Sequence, residues 1–315
     1  MAEPLIECVP NFSEGRRQEV VDEIAATISG VPGVYVLDTE LDADHHRSVI
    51  TFVGPPDGVV EAAFRATAAA ARLIDLEQHR GAHPRIGAAD VVPFVPLRDA
   101  SLDDCVVLAR QLGQRIGDKL QIPVYLYEAA ATRPERRNLA DVRHGGYEGL
   151  KQTLGVDPAR EPDFGPARIG SAGAMAVGAR LPLIAYNIYL NTGDLHVAKQ
   201  VARALRHSNG GLRYCKALGL LVGGRAQVSI NMTDYRATPL QRAFELVRSE
   251  AERYGAVPTE SEIVGLVPED ALLDVAEHYL RLNRFRRDQV LERRLAAVLD
   301  GERLEEDGGT IRETA

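Results

Sequence analysis

Apolar residues in the first part of the chain follow two periods, one typical of strands and one typical of helices. Leu5 to Val9 is a short apolar run that ends at Pro10, and it predicts a strand. A helix is predicted to open next, at Ser13-Glu14-Gly15. Its apolar positions recur at helical spacing and are Val20, Val21, Ile24, Ala25 and Ile28.

The same alternation continues to residue 95 and gives the order β-α-β-β-α-β. The predicted elements are strands at Val34–Leu37 and Ser48–Val53, a helix from Asp57 to Leu76 and a strand at Asp90–Val95. Pro93 and Pro96 push the last strand toward a sheet edge or a bulge, because proline lacks the N–H that a central strand uses.

A second β-α-β-β-α-β order follows in the C-terminal part. Its predicted elements are strands at Leu183–Leu190, Leu218–Val222, Ala226–Met232 and Glu262–Val267, with helices from Asp194 to Leu205 and from Thr238-Pro239 to Tyr254. This repeat predicts an α+β protein with two ferredoxin-like halves, each a mainly antiparallel sheet with helices on one face. The predicted domains are residues 1–180 and 181–299, followed by a polar tail at 300–315.

Further elements lie outside the repeat. Ser101–Leu120 has a helical period, Val124–Tyr127 predicts a strand, and Thr132–Asn138 predicts a polar loop. Phe164–Arg180 is rich in glycine but matches neither a dinucleotide-binding fingerprint nor a phosphate loop, so its composition favours an interdomain linker. Leu272–Leu299 is predicted to be helical.

Charge and cysteine content narrow the classes of protein that fit. The 315 residues carry a formal net charge of −8, which argues against nucleic-acid binding, since that needs a basic face. Cys8, Cys105 and Cys215 are far apart, so buried reduced thiols and a cytoplasmic location are expected. No secretion signal and no membrane-spanning run is recognised.

His83 is the best candidate for chemistry among the eight histidines. It is followed by Pro84 and Arg85, and Gly81 and Gly87 let the backbone bend closely around a ligand. A base that titrates near neutrality beside guanidinium groups suits proton transfer on an anionic substrate. The alternative is an ordinary solvent-exposed loop histidine.

A second polar cluster, Asp42-Ala43-Asp44-His45-His46-Arg47, has two interpretations. Its carboxylates and histidines suggest a metal site, but their spacing is too compressed for all of them to bind one ion. A charged loop between two strands is therefore favoured, and no metal is expected. Arg47, at the start of a strand, is the candidate here for an anion contact.

A series of motifs then extends from about residue 4 to residue 280. They are Glu7-Cys8-Val9-Pro10-Asn11-Phe12-Ser13-Glu14-Gly15, Thr51-Phe52-Val53-Gly54-Pro55-Pro56, Ala71-Arg72-Leu73-Ile74-Asp75, His83-Pro84-Arg85 with Gly87-Ala88, Val124-Tyr125-Leu126-Tyr127, Pro162-Asp163-Phe164-Gly165-Pro166, Gly178-Ala179-Arg180 and Val264-Gly265-Leu266-Val267-Pro268. Through them the chain resembles the formiminotransferase module of glutamate formiminotransferase, a folate-dependent enzyme of histidine breakdown.

The resemblance implies transfer of a formimino group from N-formimino-L-glutamate to tetrahydrofolate, in a module that is typically a homodimer of ferredoxin-like halves. The catalytic histidine of the family falls on His83. The folate-contacting stretch of the family falls on Gly165, Pro166, Ala167, Arg168, Ile169, Gly170, Ser171, Ala172, Gly173 and Ala174. Residues Ala167–Ala172 depart from the vertebrate pattern, which has aromatic side chains there.

The resulting hypothesis places the substrates in a groove between the two halves. His83 takes a proton from the folate nitrogen and returns one to the departing glutamate nitrogen. Arg47 and Arg85 are expected to hold carboxylates, with Arg168 as a further candidate, and Asn11 and Asp90 are candidates for orienting groups. The chain is too short for a cyclodeaminase domain, so a separate deaminase is expected downstream.

Two alternatives stay open at this point. One is the same chemistry on another donor, formylglutamate or formiminoglycine. The other is a folate-binding module without catalysis. The His-Pro-Arg segment counts against the second, and the sequence does not separate the donors.

Overall fold

A computed structural model describes residues 3–81 and 84–299. The helices and strands there are β1 (Leu5–Cys8), β2 (Asn11–Phe12), α1 (Gln18–Ser29), β3 (Tyr35–Asp42), β4 (Arg47–Gly54), α2 (Pro56–Leu73), β5 (Ala89–Arg98), α3 (Leu102–Leu120), β6 (Val124–Glu128), α4 (Leu139–Val142), α5 (Gly146–Thr153), β7 (Met175–Ala179), β8 (Ile184–Leu190), α6 (Leu195–Leu205), β9 (Cys215–Val222), β10 (Arg225–Met232), α7 (Leu240–Glu252), β11 (Pro258–Val264), α8 (Glu269–Leu280) and α9 (Leu291–Leu299). The fold is mixed α+β with two sheets.

The chain divides into two compact units. The first contains the residues up to Asn187 together with Asn231–Asp234 and Glu262–Leu266, and the second contains the rest. In the sheet of the first unit, the short strands β1 and β2 both lie between β4 and β5. β3 pairs with the other edge of β4, β7 pairs with the other edge of β5, and β6 pairs with β7. The pairs formed by β1 to β5 are antiparallel.

The far side of this sheet departs from the prediction of a mainly antiparallel half. β7 pairs in parallel with both β5 and β6. β7 comes from the glycine-rich stretch that composition alone assigned to a linker, and that interpretation is wrong for Met175–Ala179. All five of these residues are buried, because the strand is inserted between two others.

Of the two alternatives predicted for β5, a sheet edge or a bulge, the structure excludes the edge. β5 pairs with β1 and β2 on one side and with β7 on the other. Pro93 is tolerated because it faces the break between β1 and β2, where the Val9 N–H donates to the Pro93 carbonyl at 3.3 Å. β5 has one extra residue opposite each short strand, Leu97 opposite β1 and Asp90 opposite β2, which agrees with the predicted bulge.

The first unit has apolar cores on both faces of its sheet, so the prediction of helices on one face only is wrong here. One core lies under α1, α2 and α3 and includes the fully buried Phe12, Phe52 and Phe94. Burying each such ring contributes about 1.5–3 kcal/mol. On the opposite face, Tyr125, Tyr127 and residues of α4 and α5 form a second core. Val124–Tyr127 of β6 are all buried, and successive side chains of a strand point to opposite faces, so both faces of the sheet need apolar cover here.

The other sheet has the strand order β11–β8–β10–β9. The predicted cap of α6 is confirmed, because the Asp194 side chain accepts a hydrogen bond from the His196 N–H at 2.7 Å. β11 begins at Pro258, four positions before the predicted Glu262. The predicted helix at Leu272–Leu299 is instead two helices, α8 and α9, with a short 3₁₀ turn at Arg287–Gln289 between them.

Two simpler expectations concern thiols and membrane spans. The three cysteines are free and buried, as predicted. None of the helices in the part of the chain that the structure describes has both the length and the apolar character of a membrane span.

Candidate functional site

The backbone after position 83 lies against the second half of the glycine-rich stretch. The Ala174 N–H donates to the Ile86 carbonyl at 2.8 Å, and the Ala88 N–H donates to the Ala172 carbonyl at 2.9 Å. His83 itself lies outside the described residues. The fold therefore joins two segments that were singled out separately in the sequence.

Two glycines make this close approach possible. A Cβ on Gly87 would lie 1.8 Å from the Ala174 carbonyl oxygen, and a Cβ on Gly173 would lie 2.2 Å from the Ile86 carbonyl oxygen. Gly173 also has φ of +74°, which side chains other than glycine rarely adopt. Only glycine fits at either position while the two backbones stay paired.

The first half of the same stretch has different surroundings. Gly165 has φ of +82° and packs against Gly117 and the Ile122 carbonyl oxygen, which a Cβ would approach to 2.4 Å. Arg168 is exposed. The predicted folate stretch is thus anchored at one end beside α3 and at the other end beside residues 86–88.

Arg85 uses most of its donors within the protein. Its Nε–H donates to Nδ1 of His79 at 2.8 Å, and Nη2 donates to the His79 carbonyl at 3.2 Å. Its two Nη groups also form a fork with the carboxylate of Glu148, at 3.0 and 2.8 Å. Four of the five N–H groups of a guanidinium are therefore engaged.

His79 is held as a neutral imidazole by these contacts. Because Nδ1 accepts from Arg85, the proton must be on Nε2, which donates to the His46 carbonyl at 3.0 Å. Burial lowers the pKa of His79, and the charge of Arg85 lowers it further. The His79 ring stacks on the ring of His46 with a centroid distance of 4.2 Å.

His46 connects this pair to a buried carboxylate. Its Nδ1–H donates to the Arg80 carbonyl at 3.0 Å, and its Nε2 lies 3.1 Å from Oε1 of Glu14. Glu14 also accepts from the backbone N–H groups of Arg16 and Arg17, at 2.9 and 3.0 Å. α1 begins at Gln18 and not at the predicted Ser13-Glu14-Gly15, because the backbone of Arg17 is extended, with φ of −99° and ψ of 96°.

The lowered pKa of Glu14 predicts that the free energy of unfolding falls in acid. Burial raises its pKa, but the N–H groups of Arg16 and Arg17 outweigh burial and hold the pKa at about 2. The stabilisation is complete above about pH 4.5, the unperturbed value, and disappears as the pH falls toward 2. It amounts to about 3 kcal/mol, so Glu14→Gln should lower stability to urea at pH 7 by up to this amount.

Urea unfolding of Glu14→Gln at pH 7 and pH 3 measures this effect. The control is Glu23→Gln, because Glu23 forms an exposed ion pair with Arg72 that is worth less than about 1 kcal/mol. A Glu14→Gln protein that loses stability in acid as steeply as the wild type would contradict the prediction.

A second polar group surrounds Asp90 on β5. Its Oδ1 accepts from the Ile86 N–H at 2.7 Å, and its Oδ2 accepts from the guanidinium of Arg143. Burial lowers the pKa of Arg47, and the positive charge of Arg143 lowers it further, against the carboxylates of Asp42, Asp90 and Glu40. Two predicted site residues, Arg47 and Asp90, therefore share one electrostatic environment.

Asn11 lies on the strand next to Asp90. In β2 it is paired with Val91 of β5, and its side-chain amide donates to the Val9 carbonyl at 3.1 Å. The amide is thus engaged locally within the loop between β1 and β2.

The charged segment Asp42–Arg47 closes the hairpin between β3 and β4, as the favoured interpretation predicted. His45 pairs with Asp42 at 2.6 Å. Across residues 3–81 and 84–299, no group of three His, Cys, Asp or Glu side chains is arranged to hold a metal ion.

Several residues of this site were not singled out in the sequence. Glu14 occurs in a recognised motif without an assigned role, whereas Arg143 and Glu148 carry no local signal. Arg85 and Glu148 are 63 positions apart, and Asp90 and Arg143 are 53 apart, so no local period connects them.

Comparisons with known proteins cover nearly the whole chain. Residues 5–180 match the model of the formiminotransferase domain, N-terminal subdomain, and residues 185–298 match that of the formiminotransferase domain. A glutamate formimidoyltransferase of Thermoplasma acidophilum is 52% identical over 92% of this chain and 97% of its own length. One of Streptococcus pyogenes is 46% identical over 92% and 98%.

A longer relative is the formimidoyltransferase-cyclodeaminase of Rattus norvegicus, which is 43% identical over 87% of this chain. The chain spans 52% of the length of that protein.

Proposed function

The chain belongs to the formiminotransferase family, and from this premise we propose that it transfers a formimino group from N-formimino-L-glutamate to tetrahydrofolate. The products are 5-formiminotetrahydrofolate and L-glutamate, in histidine degradation. The observation that carries the proposal is 52% identity to a glutamate formimidoyltransferase over 97% of the length of that relative.

His83 is proposed as the general base and acid of the transfer, on the strength of the resemblance. Nitrogen 5 of tetrahydrofolate attacks the formimino carbon, and His83 takes the proton that this nitrogen loses. The bond from the formimino carbon to the glutamate nitrogen then breaks, and His83 returns the proton to that nitrogen. No electrons are exchanged with a further reagent, and a histidine titrates in the pH range that both steps need.

Tetrahydrofolate is proposed to lie along Gly165–Ala174. The pairing of Ala172 and Ala174 with residues 86–88 supports this, because it places the end of the stretch beside the segment that follows His83.

Arg47 is proposed to bind a substrate carboxylate, with Asn11 and Asp90 as orienting groups. Arg47 is half-buried and is influenced by the positive charge of a second guanidinium, that of Arg143, and two such groups support an anion site. Arg168, which is exposed within the proposed folate stretch, is proposed for a carboxylate of the folate tail.

We propose that residues 1–180 and 181–299 form two ferredoxin-like halves, a division supported by the strand order β11–β8–β10–β9 and by the recurring β-α-β-β-α-β order. A homodimer is proposed on the strength of the resemblance. A cytoplasmic location is supported by the three free, buried cysteines.

A transfer assay with tetrahydrofolate and three donors tests the function. Formiminoglutamate should give a kcat/KM about 10- to 100-fold above that of formiminoglycine, which lacks one carboxylate for an arginine to bind. Formylglutamate should react more slowly still, because its neutral amide carbon is less electrophilic than an amidinium carbon. Faster transfer from either alternative donor would reassign the substrate, and folate binding without transfer would indicate a non-catalytic module.

A further inference from the structure

The first turn of α5 contacts both segments of the proposed active site. The Tyr147 N–H donates to the Arg85 carbonyl at 2.8 Å, and the Tyr147 hydroxyl lies 3.3 Å from the carbonyl oxygen of Gly170. The next residue, Glu148, accepts the two-pronged bond from the Arg85 guanidinium. Two adjacent residues therefore bind the segment after position 83 and the proposed folate stretch.

The backbone before α5 is shaped for this placement. Gly145 and Gly146 have φ of +84° and +62°, so the chain reverses there and directs the start of α5 toward Arg85. The N–H groups in the first turn of a helix have no partners within the helix. At Tyr147 such a group is used by the Arg85 carbonyl.

Tyr147 has the properties of a fixed hydrogen-bond donor. It is 2% exposed, and burial together with the neighbouring Glu77 raises its pKa to about 12, so its hydroxyl stays protonated. The hydroxyl carries one proton and has two acceptors within reach, Oε1 of Glu77 at 2.9 Å and the Gly170 carbonyl oxygen at 3.3 Å.

The Arg85–Glu148 pair contributes little to global stability but defines a geometry. The Glu148 side chain is 59% exposed, whereas that of Arg85 is 11% exposed. An ion pair with one partner in water is worth less than about 1 kcal/mol. Its two parallel bonds nevertheless fix the plane of the Arg85 guanidinium, whose Nε–H in turn holds neutral His79.

We propose that Tyr147 and Glu148 are positioning residues of the transfer reaction. Glu148 orients Arg85 and thereby the chain on both sides of the segment that carries His83, and Tyr147 orients the folate stretch through Gly170. Arg85 then also serves as a positioning residue, and the substrate carboxylates are bound elsewhere. This inference rests on the proposed function and adds to it the residues that align the two segments.

A double-mutant cycle tests the arm that runs through Arg85. Glu148→Gln and Arg85→Gln should each lower kcat about 10-fold or more, because misplacing a catalytic group by about 1 Å costs about 100-fold and a smaller displacement costs less. The double variant should lose no more than Arg85→Gln alone, because Arg85→Gln already removes the bonds to Glu148 together with those to His79. KM for the donor and the thermal midpoint of Glu148→Gln should stay at their wild-type values.

The opposite result is equally definite. If Arg85 binds substrate, Glu148→Gln frees its guanidinium and lowers KM for the donor, while Arg85→Gln raises it. That pattern, or an unchanged kcat in Glu148→Gln, overturns the proposal. The matched control is Glu250→Gln on α7, which removes another Arg–Glu pair with one exposed partner and should leave kcat unchanged.

Tyr147→Phe tests the arm that runs through Gly170. It should raise the dissociation constant of tetrahydrofolate about 3- to 10-fold, which corresponds to the loss of one hydrogen bond. KM for the donor should not change. Tyr125→Phe is the control, because Tyr125 is a buried tyrosine that also donates to a backbone carbonyl, that of Arg160 at 2.6 Å. An equal weakening in both variants would mean a structural role only.

These outcomes are separable from failure of the proposed function. Wild-type turnover with formiminoglutamate tests the function, whereas the inference depends on ratios between variants. Tetrahydrofolate can be titrated without a donor. Calorimetry on Tyr147→Phe therefore tests the role of Tyr147 even if the protein uses a donor other than formiminoglutamate.

Discussion

Replacing His83 with alanine should lower kcat by about 100- to 10,000-fold, the contribution typical of a general acid–base group. Binding of tetrahydrofolate should change little, because the proposed folate stretch is held by backbone bonds to residues 86–88, which an alanine at position 83 leaves in place. The expected signature is therefore a collapse of turnover at nearly constant folate affinity. Steady-state kinetics and calorimetry on the same preparation measure both quantities.

The pH dependence of the same variant adds a second readout. Wild-type kcat should show a limb near the pKa of a histidine, and His83→Ala should lose that limb along with its rate. His196→Ala is the control, because His196 is an exposed histidine in the first turn of α6. Near-normal turnover in His83→Ala would remove this residue from the mechanism.

Local sequence patterns predicted the elements whose partners are close along the chain. The helical spacing of Val20, Val21, Ile24 and Ile28 is confirmed by their burial in α1, and the capping of α6 by Asp194 is confirmed. Each depends on contacts between positions no more than four residues apart, which is the range over which a helix determines its own pattern.

The position of β7 could not be predicted in this way. A strand buried on both faces has no alternation of polar and apolar residues, and Met175–Ala179 also contains a glycine. Gly178 is required there because a Cβ would lie 2.6 Å from the Tyr127 ring of the neighbouring β6. The same glycine that composition assigns to a linker is thus a packing requirement of the sheet, visible only once β6 is adjacent.

The candidate site shows the same division. The flanking glycines and arginines drew attention to the segment around His83, and the motif resemblance gave the folate stretch. Glu148 and Arg143, which pair with Arg85 and Asp90, lie in a part of the chain with no period or motif of its own. The role of Arg85 therefore has to be inferred from its contacts with Glu148 and His79, and not from its position near His83 in the sequence.

Replacing Gly173 with alanine should separate the two segments of the site. The Cβ of an alanine at position 173 would lie only 2.2 Å from the Ile86 carbonyl oxygen and would have to displace it. The alanine would also have to adopt a backbone conformation with φ of +74°. The conformational strain alone costs about 1–2 kcal/mol, and displacement of the paired backbone adds to it. We expect a loss of about 2 kcal/mol or more in the free energy of unfolding and a weaker affinity for tetrahydrofolate.

Gly170→Ala is the matched control for the stability effect. Gly170 lies in the same stretch, is exposed, and has no atom within 4 Å of the place where a Cβ would stand. A surface change of this kind alters stability by less than about 0.5 kcal/mol. Urea unfolding should therefore separate the two variants, although both add one methyl group within three positions of each other. Equal stability of both would mean that residues 86–88 and 172–174 are not held together by the glycine contact, and the alignment proposed for His83 and folate would lose its structural basis.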